Sequence, residues 1–68
     1  MKEEIQRLLK ATPFVPFVVD VAEDLAYSIA THDHANAAGN ALVIVDDSGF
    51  IDLIPWRHIR RVHYLAEA

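Results

Sequence analysis

The chain has 68 residues, 53% of them apolar, a formal net charge of −4 and no cysteine. A single domain of that length buries only about 60% of its unfolded surface and needs reinforcement, and the lack of cysteine excludes disulfides and thiolate zinc sites as its source. The acidic balance argues against a general polyanion binder, no apolar run reaches the length of a membrane span, and the opening Met-Lys-Glu-Glu lacks the apolar core of a signal peptide.

The expected compartment is therefore the cytoplasm. The expected reinforcement is self-association, because a short chain this apolar has more apolar surface than one small core hides.

Residues 2–11 read as a helix. Ile5, Leu8 and Leu9 recur at i, i+3 and i+4; Glu3 and Glu4 open it and Lys10 closes it, in the sense of the helix dipole. Glu3 and Arg7 stand at i,i+4 in the favourable order. Thr12 precedes Pro13 and is pushed out of the helical region, which ends the helix. Ten residues alone would hardly be helical, so this helix must lie on something.

Five short strands follow. In residues 14–21, Val15, Phe17, Val19 and Val21 share one face and Asp20 lies on the other; Pro16 cannot donate to a ladder, so the strand starts after it or lies at an edge there. Glu23-Asp24 forms a turn. Residues 25–31 put Leu25, Tyr27 and Ile29 opposite the small Ala26, Ser28 and Ala30. Residues 32–40 read as the longest irregular segment, ending in Gly39-Asn40. Residues 41–45 are continuously apolar, the pattern of a central strand covered on both faces. Asp46-Asp47-Ser48-Gly49 is a hairpin loop, residues 50–54 return antiparallel, and Pro55-Trp56-Arg57-His58 turns tightly into residues 59–65. No internal repeat or linker divides the chain, so residues 1–68 form one mainly β (α+β) domain. The expected core is Ile5, Leu8, Leu9, Phe17, Val19, Val21, Tyr27, Ile29, Leu42, Ile44, Ile51, Leu53, Ile59 and Val62.

Charge is unevenly placed. Residues 11–56 hold no lysine or arginine but contain Asp20, Glu23, Asp24, Asp33, Asp46, Asp47 and Asp52. The basic side chains are Lys2, Arg7 and Lys10 at the start and Arg57, Arg60 and Arg61 near the end. If the two ends meet in space, they form one basic patch.

The basic segment interleaves Trp56, Arg57, His58, Arg60 and Arg61 with His63 and Tyr64. Arginine beside an aromatic ring can hold phosphates and stack bases, which makes RNA one candidate partner; the alternative places Trp56 and Tyr64 as anchors and the arginines against acidic loops of a neighbour. His32 and His34, two residues apart on an extended segment, face the same way and suit a metal ion, but a closed site needs four ligands and the rest are not nearby in sequence. Ser28 and Ser48 lack a nucleophile signature. Asp46 and Asp47 fit a solvated turn, and Gly39 and Gly49 do not make a phosphate cradle. No cofactor and no catalysis are expected.

The segment Phe50-Ile51-Asp52-Leu53-Ile54-Pro55-Trp56-Arg57-His58-Ile59-Arg60-Arg61-Val62 resembles the strand, one-turn 3₁₀ element and closing strand of the Sm/Hfq-like family, in which an aromatic–basic–histidine turn precedes an Ile-x-x-Val strand. The turn here is one residue shorter. Pro13-Phe14-Val15-Pro16-Phe17 after a helix is also similar to small bacterial proteins that begin with a helix and a Pro-Phe-x-Pro-Phe segment, although their Asp-Gly turn and His-Pro-Glu loop are replaced by Glu23-Asp24-Leu25 and His34-Ala35-Asn36. The resemblance implies an N-terminal helix followed by a five-stranded, strongly bent antiparallel Sm-like barrel over residues 14–65. It also implies homo-oligomeric rings, formed by pairing the fourth strand with a neighbour's fifth. RNA contact would fall at Trp56, Arg57 and His58.

Overall fold

A computed structural model of the chain describes residues 1–22 and 24–65, so Glu23, expected in the first turn, lies outside the described residues. One helix, α1 (Lys2–Lys10), precedes six strands: β1 (Phe17–Ala22), β2 (Leu25–Ile29), β3 (Ala35–Ala37), β4 (Ala41–Val45), β5 (Ile51–Pro55) and β6 (Arg61–Tyr64). Among the described residues the strands form two antiparallel three-stranded sheets, ordered β2-β1-β6 and β3-β4-β5. No helix among them is long and apolar enough to cross a membrane. The mainly β, helix-first reading holds at this level.

The five-stranded barrel is corrected to six strands in two sheets. The cause lies in residues 31–37. The His34 N–H donates to the Thr31 carbonyl at 3.1 Å, and the Thr31 hydroxyl bonds His34 Nδ1 at 2.8 Å. These local bonds compete with a ladder and wind His32–His34 into a 3₁₀ turn that separates β2 from β3. Beyond it, Ala35-Asn36-Ala37, read as loop because these residues have low strand propensity, pairs with β4 as Ala35↔Ile44, Asn36↔Val43 and Ala37↔Leu42. Alanine is what this place needs: α1 packs over β3, and Ala35 joins the core.

The core lies between the two sheets and under α1. Ile5, Phe17, Val19, Ile29 and Leu42 are fully buried, with Ala35, Ile44, Ile54 and Ile59 close behind. Each large side chain removed from water in this way contributes about 1.5–3 kcal/mol. Leu8, Leu9, Phe14, Val21, Tyr27, Trp56 and Val62 pack around them. The helix stripe is therefore as expected. Its surface pairing is not, because Arg7 meets Glu4 at 2.9 Å in place of Glu3.

Two core assignments fail. Ile51 and Leu53 are 63% and 67% exposed, and Ile54 is buried in their stead. In Ile51-Asp52-Leu53-Ile54 both alternations contain an isoleucine, and the choice of face follows from pairing with β4: Leu42↔Ile54 places Ile54 inward, so Val43↔Leu53 and Val45↔Ile51 face outward. A shift of one residue moves every side chain to the other side of a sheet.

The β4–β5 hairpin is fixed by its own loop. The Asp46 carboxylate accepts the Ser48 and Phe50 N–H groups at 2.9 and 3.0 Å, and the Asp46 N–H reaches the Phe50 carbonyl at 3.0 Å. Gly49 takes φ +91°, a conformation only glycine adopts without cost. β4 is the middle strand of its sheet, as its continuous apolar run suggested. Only one of its faces is buried, however: Leu42 and Ile44 point into the core, while Ala41, Val43 and Val45 are half-buried.

Candidate functional site

The segment between β5 and β6 is built on a turn that its sequence enforces. Pro55 sits at φ −55° and leads into the 3₁₀ turn Trp56–His58, closed by the Ile59 N–H on the Trp56 carbonyl at 3.2 Å. Ile59 is buried and anchors the turn from one side. From the other, the half-buried Trp56 donates its indole N–H to the Ala38 carbonyl at 3.1 Å. With both flanks held, Arg57 and His58 project as an exposed tip.

The five candidate residues do not converge on one spot. Trp56 and Arg57 line a depression of about 610 Å³ together with Asn40, Ala41, Leu53 and Pro55. Arg60 and Arg61 lie at the far side of the turn, against β1 and α1. The Arg60 backbone N–H bonds the Asp20 carbonyl at 2.8 Å, and Arg61 Nε donates to Asp20 Oδ2 at 2.7 Å. His63 Nε2 stands 3.3 Å from that same oxygen. The hydrogen bond from Arg61 holds the Asp20 carboxyl below its usual value of 3.8, with partial burial opposing and the charges of Arg61 and His63 adding to the effect.

Arg61 thus finds its acidic partner within its own chain, on the neighbouring strand. Sequence reading placed Asp20 on an outward strand face without giving it a role. The signal was its solitude, a single carboxylate in an otherwise apolar strand.

The two chain ends do meet. Arg7 of α1 and Arg60, Arg61 and His63 of the last segment line a cleft of about 480 Å³ together with Glu4, Leu8 and Val62. Arg57 instead lines the other depression, where Lys2 Nζ donates to the Gly39 carbonyl at 3.3 Å, so the basic residues do not form the single patch expected of them.

His32 and His34 part company. His32 Nε2 lies 3.3 Å from its neighbour Asp33. His34 has both ring nitrogens engaged, Nδ1 with Thr31 and Nε2 with Asp47 Oδ1, each at 2.8 Å. Among the described residues no three histidine, aspartate or glutamate side chains are grouped to hold a metal ion. His34 instead ties the 3₁₀ turn before β3 to the tip of the β4–β5 hairpin, a link across 13 residues that spacing alone does not reveal. Nearby, burial raises the Tyr27 phenol above its ordinary value, and the negative charge of Asp52 adds to the shift.

Comparison with family models, with curated proteins and with solved structures gives no match.

Proposed function

We propose that this chain is a non-enzymatic, self-assembling binding module with Sm-like strand order, whose copies join edge to edge. The observation that carries the reading is the position of β5 and β6. If β2 and β3 are taken as two halves of one strand broken by the His32–His34 turn, the order is β5-β4-β3/β2-β1-β6. The two strands joined by the short Trp56–His58 turn are then the two outer edges. Unpaired edges on a small apolar domain need covering, and β5 of one copy against β6 of the next covers both at once.

Solution mass at low and high salt tests this. A multimer that persists in high salt supports edge pairing with an apolar contribution, because exposed ion pairs are screened there. A monomer at every concentration removes the reading.

A second reading is RNA binding through Trp56, Arg57, His58, Arg60 and Arg61. The Trp56–Arg57 depression favours it, and the Asp20 carboxylate on Arg61 weighs against it. Short U-rich and A-rich RNAs distinguish the two readings. Retention that falls steeply with salt and is lost in Arg57→Ala marks RNA binding, and retention unchanged by Arg57→Ala rejects it. The metal reading of His32 and His34 lacks a third ligand among the described residues and is not carried further.

A further inference from the structure

β6 is an outer strand of its sheet, and its far side is open. The Leu65 N–H donates to the Pro16 carbonyl at 3.3 Å. That bond makes Phe17↔Tyr64 an open pair of the antiparallel ladder and leaves Val18↔His63 and Asp20↔Arg61 as the doubly bonded pairs. The N–H and C=O groups of Val62 and Tyr64 therefore point away from β1. Among the described residues no backbone bond takes up the Val62 N–H and C=O or the Tyr64 N–H on that side. The Tyr64 carbonyl stands 3.3 Å from His63 Nδ1. Across from this edge is α1, whose Glu4, Arg7 and Leu8 line one cleft of about 480 Å³ with residues 60–64.

The side chains of β6 divide by alternation. Val62 and Tyr64 pair with the buried Val19 and Phe17, so they lie on the inward side of the sheet and share the cleft with Leu8. Arg61 and His63 lie on the outward side with Asp20. That carboxylate is only 18% exposed and already engaged by both of them, while the Arg61 side chain is 73% exposed. Arg60 lines the cleft with no ion pair of its own among the described residues. On the helix, Arg7 is balanced by Glu4 at 2.9 Å. An extended chain entering the cleft thus meets backbone partners along one side. Alternate side chains of that chain meet an apolar strip, and the others meet net positive charge. The four residues of β6 span about 13 Å at the usual rise, which sets the length of the contact. A nucleic-acid strand could use the arginines, but it would leave the edge N–H and C=O groups without their strand partners and set its phosphates against Glu4 and Asp20.

We infer that the cleft between α1 and β6 takes an extended peptide of alternating acidic and apolar residues from a partner protein, which adds to the sheet as a strand beside β6. This goes beyond self-assembly and competes with it, because the β6 edge admits one strand at a time.

The test is a titration of a fluorescently labelled peptide that alternates glutamate with valine against the whole chain, with solution mass and circular dichroism read on the same samples. The alternating peptide is expected to bind about tenfold more tightly than one in which the same residues stand in two blocks. Backbone N-methylation of one alternate set of its residues is expected to abolish binding, and N-methylation of the other set to preserve it. Arg60→Glu keeps the backbone bond to Asp20 and the core, and is expected to weaken binding about tenfold at low salt. No binding by the wild-type chain overturns the inference, as does equal binding of the block peptide or of the folded Arg60→Glu variant. Equal effects of the two N-methylated sets overturn strand addition, and preferential capture of a U-rich RNA by the same cleft overturns the peptide as its occupant. A monomer that binds the peptide upholds the inference while removing self-assembly. A multimer that does not bind it overturns the inference and leaves self-assembly standing.

Discussion

The outward face of β2-β1-β6 carries Val18, Asp20, Ala26, Ser28, Arg61 and His63, whereas that of β3-β4-β5 carries Asn36, Val43, Val45, Ile51 and Leu53. Both sheets have three strands and both press an apolar inner face on the same core. On the first, a carboxylate is met by an arginine and a histidine from the adjacent strand, so the polar groups answer one another and the surface is complete. On the second, Asn36 is the polar residue at the paired outward positions, and the large aliphatic Ile51 and Leu53 stand in water. The contrast shows that strand alternation alone does not make a sheet solvent-facing; the outward positions must also carry polar side chains.

Substitutions on either side of β4 and β5 test this contrast most severely. Leu42→Ala opens a cavity in the shared core and is expected to cost about 2–5 kcal/mol, enough to leave so small a domain largely unfolded in a denaturant titration. Leu53→Ala on the outward face is expected to change monomer stability by no more than about 0.5 kcal/mol. Equal losses from the two would mean that the outward face is already buried within one chain.

Gly49→Ala forces a side chain into a left-handed conformation and is expected to cost about 1–2 kcal/mol, read as a lower thermal midpoint. Trp56→Phe removes the donor to the Ala38 carbonyl, with an expected loss of about 1 kcal/mol.

The smallest effect belongs to the polar face. Because the folded Asp20 carboxyl is held below 3.8, its contribution to stability is complete above that value. It is lost as pH falls through the lower folded value. Arg61→Ala removes the main cause of the depression. The variant should be slightly less stable at neutral pH and lose less on acidification than the wild type. Parallel acid titrations of the two would show that Arg61 does not stabilise the Asp20 carboxylate.

Much of this fold is legible in the residues. The Ile5-Leu8-Leu9 stripe marks α1, Phe17 and Val19 alternate with Asp20, and Asp46-Asp47-Ser48-Gly49 announces the hairpin through chemistry contained within the loop itself. The errors occur where local sequence is silent. Ala35-Asn36-Ala37 becomes a strand only because β4 lies beside it. Ile51-Asp52-Leu53-Ile54 fits either face of a sheet until Leu42 selects Ile54. At the candidate site, the tight Trp56–His58 turn followed from Pro55 and the run behind it, while the single basic patch expected from the two ends forms only in part, from Arg7, Arg60 and Arg61, with Arg57 held apart by that same turn. The Asp20–Arg61 and His34–Asp47 contacts join residues 41 and 13 positions apart and depend on strand order, which residue identity does not encode.

Trp56 is the chain's single tryptophan, and its ring sits at the border between core and solvent beside the exposed Leu53. Indole emission moves to shorter wavelength as water leaves the ring. The protein therefore carries an intrinsic optical gauge of whatever settles on its apolar sheet, sensitive to a second copy, a peptide or a nucleobase alike, and readable without a label.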